Sequence, residues 1–273
     1  MIELAVNGDV NTGLIGATGY VGGSLLNQFK FDELYSSSNI TQICGNTFSL
    51  VVCSAAPAKK WIANREPEVD LQNIKGLIKH LETITCDRFV LISTVDVFKS
   101  PIGIDESSSV DENDLQPYGF NRRYLEKFVQ NHFSNHLIVR LPGLVGPRLR
   151  KNVIFDFLSN NNLQAIDSRG IFQFYPMVNL WYDIQIALQA KLSVVHLTAE
   201  PIAVAEVSEQ GFGKVFQQEL VAPFATYDLR TQYADLFGGS GYYQYSKRES
   251  IQAIRAYSQS EVISLQLNTG RNG

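Results

Sequence analysis

The chain has 273 residues, of which 45% are hydrophobic and 18% charged, enough apolar sequence for one large α/β domain or two interleaved lobes. The net charge is −4 and the basic residues are scattered, so we expect no nucleic-acid partner and no membrane partner. No apolar run approaches the roughly 20 residues of a membrane span, and residues 1–10 contain acids without a basic signal region. These features predict a cytoplasmic protein.

The three cysteines and four histidines give no sign of a metal site. Cys44, Cys53 and Cys86 are odd in number, and neither residue type shows the spacing of metal ligands. We therefore expect reduced thiols, structural histidines and no bound metal.

The first predicted element is a strand over Thr12–Ile15, followed by a glycine-rich turn and an amphipathic helix with apolar residues at 21, 25, 26 and 29. Glycines at 13 and 16 allow a tight turn close to an anion, and Gly19 lets the helix approach the sheet. A plain turn has the same composition, but the flanking strand and helix favour a dinucleotide pyrophosphate at the helix N-terminus. The candidate cofactor-binding residues of this segment are Gly13, Gly16, Ala17, Thr18, Gly19, Tyr20 and Val21.

Strands and helices alternate through the rest of the first half. Apolar runs predict strands at 33–37, 48–54, 89–93 and 136–140, and helical periodicity predicts helices at 67–81 and 118–133. An acidic loop covers 105–117. This alternation predicts an α/β fold with a Rossmann-type, doubly wound parallel sheet.

The alternation weakens in the second half, where we predict helices at 152–158, 180–188 and 249–257 and a strand at 194–197. The predicted domains are a dinucleotide-binding domain over 1–145, a smaller interleaved substrate-binding lobe over 146–258, and a polar C-terminal tail over 259–273.

Six segments in a fixed order give the chain its resemblance to a known family. They are the glycine turn, Ala55-Ala56-Pro57, Asn73-Ile74-Lys75-Gly76, Ser93-Thr94, Tyr118-Gly119-Phe120-Asn121-Arg122 with Glu126, and Arg140 to Pro147. Together they resemble the extended short-chain dehydrogenase/reductase family, which contains nucleotide-sugar epimerases, dehydratases and reductases. Within it, the dTDP-4-dehydrorhamnose reductases look most similar. The resemblance implies an NAD(P)-binding enzyme and adds Ala55, Ala56 and Pro57 to the cofactor-binding residues.

The candidate catalytic residues are Tyr118, Arg122 and Thr94. A tyrosine hydroxyl exchanges a proton with a sugar oxygen while hydride moves at nicotinamide, provided that a nearby cation lowers its pKa. Arg122 lies four residues along the same helix, so it would stabilise the phenolate and also bind the cofactor ribose together with Tyr118. Thr94, or alternatively Ser93, would orient the substrate oxygen. Packing or capping roles are the structural alternative for these residues.

Arg122 departs from the family pattern, which has lysine at this position. Arginine keeps the positive charge but does not release its proton. Reduced activity, altered chemistry or a non-catalytic role are therefore all open. Lys59 and Lys60 follow the Ala-Ala-Pro turn and could place an ammonium near the same site, although lysines in such turns are usually solvated.

Val95 and Asp96 bear on the type of reaction. The family's dehydratases generally have an acid directly after the threonine, where this chain has Val95. Dehydration is therefore disfavoured relative to reduction or epimerisation. Asp96 is a candidate substrate-binding residue or a structural hydrogen-bonding partner.

The cofactor is predicted to be NAD(P), with a slight preference for NADP. An NAD site usually has an acid about 20 residues after the glycine turn, whereas this chain has Ser37, Ser38 and Asn39 in that region. Their hydroxyl and amide groups do not repel a 2′-phosphate, and no neighbouring arginine requires one.

Substrate contacts are expected from Thr94, Asp96 and the second half of the chain. Arg148, Arg150 and Asn152 follow the last clear strand of the sheet and suit a diphosphate. Tyr175 lies in a segment that resembles a substrate-facing segment of the family, although an aromatic run is also typical of a core. The expected partner is a small molecule, namely a nucleotide sugar.

Two functions of different classes follow from the sequence. The first is an NAD(P)-dependent reductase or epimerase acting on a nucleotide-linked sugar. The second is a cofactor-binding regulatory or scaffold protein whose active site has drifted, as Arg122 would allow. The predicted helices at 67–81 and 118–133 resemble the pair that forms a two-fold interface in the family, so a homodimer is expected.

Overall fold

A computed structural model describes residues 11–269 of the chain, and the side chains of residues 11–261. The prediction about the acidic N-terminal segment, residues 1–10, lies outside the described residues, as does the end of the predicted tail, residues 270–273.

Twelve strands and eight α-helices are described. The strands are β1 (Thr12–Ile15), β2 (Glu33–Tyr35), β3 (Thr47–Cys53), β4 (Thr85–Thr94), β5 (Ile102–Ile104), β6 (His136–Leu141), β7 (Gly143–Val145), β8 (Ile171–Phe172), β9 (Phe174–Pro176), β10 (Val194–His196), β11 (Ile202–Ala203) and β12 (Asp228–Leu229). The helices are α1 (Tyr20–Leu26), α2 (Lys60–Arg65), α3 (Pro67–Leu81), α4 (Pro117–His132), α5 (Val153–Ser159), α6 (Leu180–Gln189), α7 (Val204–Glu206) and α8 (Lys247–Thr269).

Six strands form one sheet in the order β10-β6-β4-β3-β1-β2. The pairings of β1 with β2, β1 with β3 and β3 with β4 are parallel. From β1, the chain adds β2 on one side and then crosses to β3 on the other, so the strand order reverses between β1 and β3. Such a reversal is where open α/β sheets bind ligands, beside the carboxyl ends of the strands. The predicted Rossmann-type α/β fold is confirmed.

The chain divides into two compact units. Within the described residues, the first unit contains 11–99, 110–140 and 187–194, and the second contains 100–109, 141–186 and the residues from 195 onward.

The core of the first unit lies between the sheet and the helices α3 and α4. Apolar residues at helical spacing on α3, such as Ile74 and Ile78, share one buried cluster with Val51 and Phe89 of the strands and Leu125 of α4. The strands β3 and β4 are buried on both faces, as continuous apolar runs predict. Helix α4 also packs against α2, α3 and the short turn Val95–Val97.

The second unit contains three small two-stranded sheets. They pair β7 with β9 and β5 with β12 in parallel, and β8 with β11 in antiparallel orientation. Helix α8 packs against β7, β9, α5 and the π-helical turn Val207–Gly211.

Most predicted elements are present, with corrections at their ends. Helix α1 ends at Leu26, so Phe29 lies beyond it, and β2 ends at Tyr35. Helix α8 continues to Thr269, so most of the predicted polar tail is helical. In the part of the chain that the structure describes, no helix is long and apolar enough to cross a membrane.

Candidate functional site

The glycine turn after β1 is built around Gly16, whose φ of +90° favours glycine. A Cβ atom there would lie 2.7 Å from the backbone carbon of Ser54 and 2.8 Å from the amide nitrogen of Ala55. At Gly22, a Cβ atom would lie 2.1 Å from the carbonyl oxygen of Gly16. Glycine at both positions therefore lets α1 and the end of β3 approach the turn closely.

Gly13 does not belong to this turn, and that part of the sequence prediction is wrong. It lies inside β1, where a Cβ atom would meet the Phe48 ring at 3.0 Å. The structural glycines are Gly16, Gly19 and Gly22, which keep the predicted spacing but begin three residues later. Gly22 was missed, although it continues the same spacing.

The turn suits an anionic ligand. Gly19 caps α1 without a side-chain hydrogen bond, and the first turn of the helix contains no acid. Thr18 and Gly19 are exposed, whereas the amides of Gly16 and Ala17 donate to the carbonyl oxygen of Tyr35. Amides at a helix N-terminus attract phosphate groups because of their partial positive charge. This part of the site therefore fits the pyrophosphate of a dinucleotide.

The loop after β2 presents hydroxyl groups and no carboxylate. Asn39 holds this loop together, since its Oδ1 accepts from the Ser36 amide at 2.7 Å and its Nδ2 donates to the Leu34 carbonyl at 3.0 Å. Ser37 and Ser38 are exposed. Of the three residues predicted to select the cofactor, the two serines are accessible, while the Asn39 amide group is engaged within the loop.

Tyr118 and Thr94 come together at the carboxyl end of β4, where the Thr94 side chain lies close enough to lower the pKa of the tyrosine. Tyr118 is the second residue of α4 and is only 8% exposed. Its amide donates to Asn64 Oδ1 of α2 at 2.9 Å. Next to it, a Cβ atom at Gly119 would lie 2.0 Å from the Asp96 carbonyl oxygen, so glycine allows α4 to approach this turn. Gly119 and Asn64 thus position the tyrosine.

The pKa of Tyr118 differs from the expected direction. Burial raises it above its ordinary value, and the nearby Arg122 charge only partly opposes this effect. The prediction of a lowered pKa is therefore wrong for the structure described. A raised pKa keeps the hydroxyl protonated at neutral pH, as a proton donor requires.

Arg122 is 3% exposed and has mainly structural contacts. Its Nη1 and Nη2 donate to the Asp70 carboxylate of α3 at 2.5 and 3.0 Å, and Nη2 also donates to the Pro57 carbonyl. The guanidinium carbon lies 4.2 Å from the centre of the Tyr118 ring, over its face. Arg122 thus links α3, α4 and the Ala-Ala-Pro turn, and the prediction that its fork binds the ribose and the phenolate oxygen is corrected.

Asp70 was missed by the sequence analysis, although a signal was present. It occupies the same helical face as Ile74, Ile78 and Leu81, all of them buried. A carboxylate on the apolar face of a helix needs a cationic partner, because burying an unpaired charge is costly.

A second cation lies near Tyr118. Lys60, the first residue of α2, has its Nζ 2.7 Å from Asp96 Oδ1. Asp96 Oδ2 lies 3.5 Å from Thr94 Oγ1, and the Asp96 amide donates to that hydroxyl at 3.2 Å. Of the two lysines that the sequence offered as a nearby ammonium, Lys60 lies close to Tyr118.

Glu126 joins three of the segments that carried the family resemblance. Its fully buried carboxylate accepts from Ser93 Oγ at 2.6 Å, from Arg140 Nε and Nη2 at 3.0 and 2.8 Å, and from Arg123 Nη1 at 3.0 Å. Burial raises its pKa, but these hydrogen bonds prevail and hold the pKa below the usual range. Ser93 is thus engaged, which leaves Thr94 as the candidate catalytic hydroxyl.

The second unit contains four of the predicted substrate-binding residues. Arg148 and Arg150 are exposed, and Glu261 accepts from the Arg148 amide at 2.8 Å. Asn152 caps α5 by accepting from the Ile154 amide and also donates to the Leu144 carbonyl. The arginines are accessible, while the Asn152 side chain is used to start the helix.

Tyr175 is fully buried, so the prediction that it contacts a substrate is corrected. Its hydroxyl donates to Asp183 Oδ2 at 2.5 Å, and Tyr245 donates to the same oxygen at 2.8 Å. Burial raises the pKa of Asp183 to about 6, although the two tyrosine hydrogen bonds oppose the rise. Tyr175 is part of a buried polar cluster.

Comparison with known proteins finds similarity in structure. No protein-family model and no curated protein matches the sequence. UDP-glucose 4-epimerase of Thermotoga maritima with UDP-glucose is 13% identical, with a TM-score of 0.71 over 94% of this chain and 100% of its own. The dTDP-4-dehydrorhamnose reductase of Bacillus anthracis with NADP is 16% identical, with a TM-score of 0.66 over 90% and 97%.

A third solved structure shows the same similarity. The Bordetella bronchiseptica enzyme WbmG, in complex with NAD and UDP, is 14% identical, with a TM-score of 0.73 over 94% of this chain and 96% of its own. The fold expected from the sequence motifs is thus confirmed, and this chain has the Rossmann-type fold of these epimerases and reductases.

Proposed function

We propose that the protein is an NAD(P)-dependent reductase or epimerase that acts on a nucleotide-linked sugar. The observation that carries the proposal is that Tyr118, near the start of α4, lies beside Thr94 at the carboxyl end of β4. Both residues lie in the same unit as a glycine turn at the strand-order reversal, where a dinucleotide is expected. The complexes of similarly folded proteins with UDP-glucose, NADP, and NAD with UDP support this choice of ligands.

The residues of the first unit fit a nicotinamide dinucleotide. The first-turn amides of α1 would bind the pyrophosphate, and Ser37 and Ser38 would face the adenosine ribose, where their hydroxyls tolerate a 2′-phosphate. This is the basis for a slight preference for NADP. When bound, the nicotinamide would supply or accept the hydride.

The protein's own contribution is proton transfer and orientation. Tyr118, protonated at neutral pH, would donate its proton to the sugar oxygen, and Thr94 would hold that oxygen by a hydrogen bond. Because the raised pKa favours the protonated tyrosine, this arrangement suits the reducing direction. Arg148 and Arg150 remain predicted contacts of the substrate's diphosphate.

One observation favours a second function, that of a cofactor-binding regulatory or scaffold protein. The Arg122 guanidinium is occupied by Asp70 and the Pro57 carbonyl, so it is not available to reposition during a reaction cycle. A protein that only binds the cofactor would have no need of a mobile cation at this position.

Replacing Tyr118 by phenylalanine separates the two functions. Tyr118→Phe removes only the hydroxyl, so turnover of NADPH or NADH with a panel of UDP- and dTDP-linked 4-keto sugars should fall at least ~100-fold, while cofactor affinity stays within about threefold. Tyr124→Phe, an exposed tyrosine on the same helix, is the matched control and should retain activity. Cofactor binding by the wild type without turnover on any of these sugars would favour the regulatory function.

A further inference from the structure

The two cations near Tyr118 differ in what they can do. Arg122 is buried, bound through two nitrogens to Asp70, and lies over the face of the phenol ring. A guanidinium stays protonated at all working pH values, so it neither gives nor takes a proton. Arg122 can act on Tyr118 through its charge and its packing alone.

Lys60 is suited to exchange protons with solvent. The side chain of Lys60 is 44% exposed, and that of its partner Asp96 is 20% exposed. An ammonium group can release and regain a proton, and its pKa responds to its surroundings. Lys60 therefore connects the inner part of the site with water.

A continuous set of polar groups leads from Lys60 to the tyrosine. Lys60 Nζ lies 2.7 Å from Asp96 Oδ1, and Asp96 Oδ2 lies 3.5 Å from Thr94 Oγ1. The Thr94 side chain in turn lies beside Tyr118 and lowers the pKa of its hydroxyl. Lys60 lies on the short helix α2, and Asp96 lies on the turn Val95–Val97. Both elements pack against α4, the helix that contains Tyr118.

We propose that the Lys60–Asp96 ion pair acts beside Arg122 on the protonation of Tyr118 and returns its proton from solvent through Thr94. This role rests on the proposed function. Lys60 and Asp96 act through Thr94 and Tyr118 and are positioning residues; they are not themselves catalytic.

The proton balance is simple. After Tyr118 donates its proton to the substrate oxygen, the Lys60 ammonium gives a proton to the Asp96 carboxylate, whose carboxyl group then turns to present that proton to Thr94. Thr94 takes it as its own hydroxyl proton passes to the phenolate, and the Lys60 amine regains a proton from solvent. Each step breaks one bond to hydrogen and forms another, so no further reactant is needed.

The charged groups around Tyr118 act in opposite directions. Arg122 on α4 and Lys60 on α2 favour the phenolate, whereas Asp96 on the turn Val95–Val97 disfavours it. Removing Lys60 and removing Asp96 should therefore shift the ionisation of Tyr118 in opposite senses. A double variant should bring the ionisation part of the way back to that of the wild type, since the two effects oppose each other and that of Asp96 is the larger.

The test follows the ionisation of Tyr118 without cofactor or substrate. All tyrosines are replaced by 3-fluorotyrosine, whose phenol ionises at lower pH, and ¹⁹F NMR follows each signal against pH, with Tyr118→Phe assigning the relevant one. Lys60→Met is expected to raise the pKa of Tyr118, Asp96→Asn to lower it by more, and the double variant to leave a smaller net fall.

Lys59→Met is the matched control, because Lys59 precedes Lys60 and is exposed. It should leave the titration of Tyr118 unchanged. Lys60→Arg keeps the charge but not the exchangeable proton, so it should preserve the titration and still lower turnover about tenfold, with cofactor affinity unchanged.

Each outcome bears on the proposal. Equal titrations in the wild type, Lys60→Met and Asp96→Asn would overturn it, even if the protein proves to be an active reductase. Full turnover in Lys60→Arg would overturn the proton-return step. If the shifts occur but the wild type binds neither NADPH nor NADH, the proposed function fails, and the proton-return role fails with it.

Discussion

Asp70 on α3 and Arg122 on α4 form a buried ion pair through two hydrogen bonds, 2.5 and 3.0 Å long. Both side chains are almost fully shielded from water. The same guanidinium reaches the Pro57 carbonyl, so one side chain joins two helices and the turn after β3. Arg122 therefore stabilises this corner of the first unit.

Asp70→Asn should destabilise the protein strongly. Removing one partner of a buried pair leaves the other charge uncompensated, which costs about 3–5 kcal/mol of unfolding free energy. Urea unfolding measures the loss. Glu68→Gln, an exposed acid in the first turn of the same helix, should cost less than about 1 kcal/mol.

Arg122→Lys provides a complementary comparison. Lysine keeps the charge but not the planar fork, so this variant should lie between the wild type and Asp70→Asn in stability. If Asp70→Asn unfolds at the same urea concentration as the wild type, the structural role of the pair is excluded.

Asp183 should make stability depend on pH. The pKa of Asp183 is raised to about 6 in the folded protein. The pKa of an aspartate in the unfolded chain is about 4. The folded protein therefore binds a proton that the unfolded chain releases between these values, and this contribution to the unfolding free energy is lost as pH rises through the window. The loss amounts to about 3 kcal/mol and is complete above pH ~6.

Asp183→Asn tests this dependence, since the amide cannot ionise and its oxygen still accepts from Tyr175 and Tyr245. Relative to the wild type, the variant should gain up to about 3 kcal/mol of unfolding free energy between pH 4 and pH 7. Urea unfolding at four pH values gives the difference directly. A difference that stays constant across this range would contradict the assignment.

The predicted homodimer can be tested on the exposed faces of α3 and α4. Val69 on α3 and Phe120 on α4 are exposed apolar residues. A double Val69→Glu/Phe120→Glu variant should convert the dimer to a monomer in light scattering, because carboxylates would be buried at the interface. Val178→Glu, at an exposed position of the second unit, is the control. A wild type that is already monomeric at working concentration would remove the prediction.

The helices and strands of the first unit follow from local patterns, whereas the interactions of the site depend on distant residues. Apolar spacing predicts α3 at its observed bounds, Pro67–Leu81, because the buried face repeats at helical period. The same spacing cannot show that Asp70 pairs with an arginine 52 residues later. Likewise, Lys60 and Asp96 are 36 residues apart, and Asp96 follows β4, which pairs with β3 in the sheet.

The glycine turn, too, can be predicted only in part from the sequence. Their three-residue spacing is visible in the sequence, but which three form the turn depends on where β1 ends, and Gly13 falls within the strand. The sequence also suggests Gly16→Val as a block on the pyrophosphate. The structure shows that this change would place a side chain against the backbone of Ser54 and disturb the fold itself.

Thr18 offers a cleaner test of the central claim, that the glycine turn binds a nicotinamide dinucleotide. It is exposed in the turn, so Thr18→Glu adds a negative charge next to the expected pyrophosphate without entering the core, and Thr18→Gln adds the same bulk without charge. Calorimetric titration with NADPH and NADH should show binding by the wild type and Thr18→Gln, and at least tenfold weaker binding, or about 1.4 kcal/mol, by Thr18→Glu. No binding of either dinucleotide to the wild type at millimolar concentration, or equal binding by the two variants, would contradict the account.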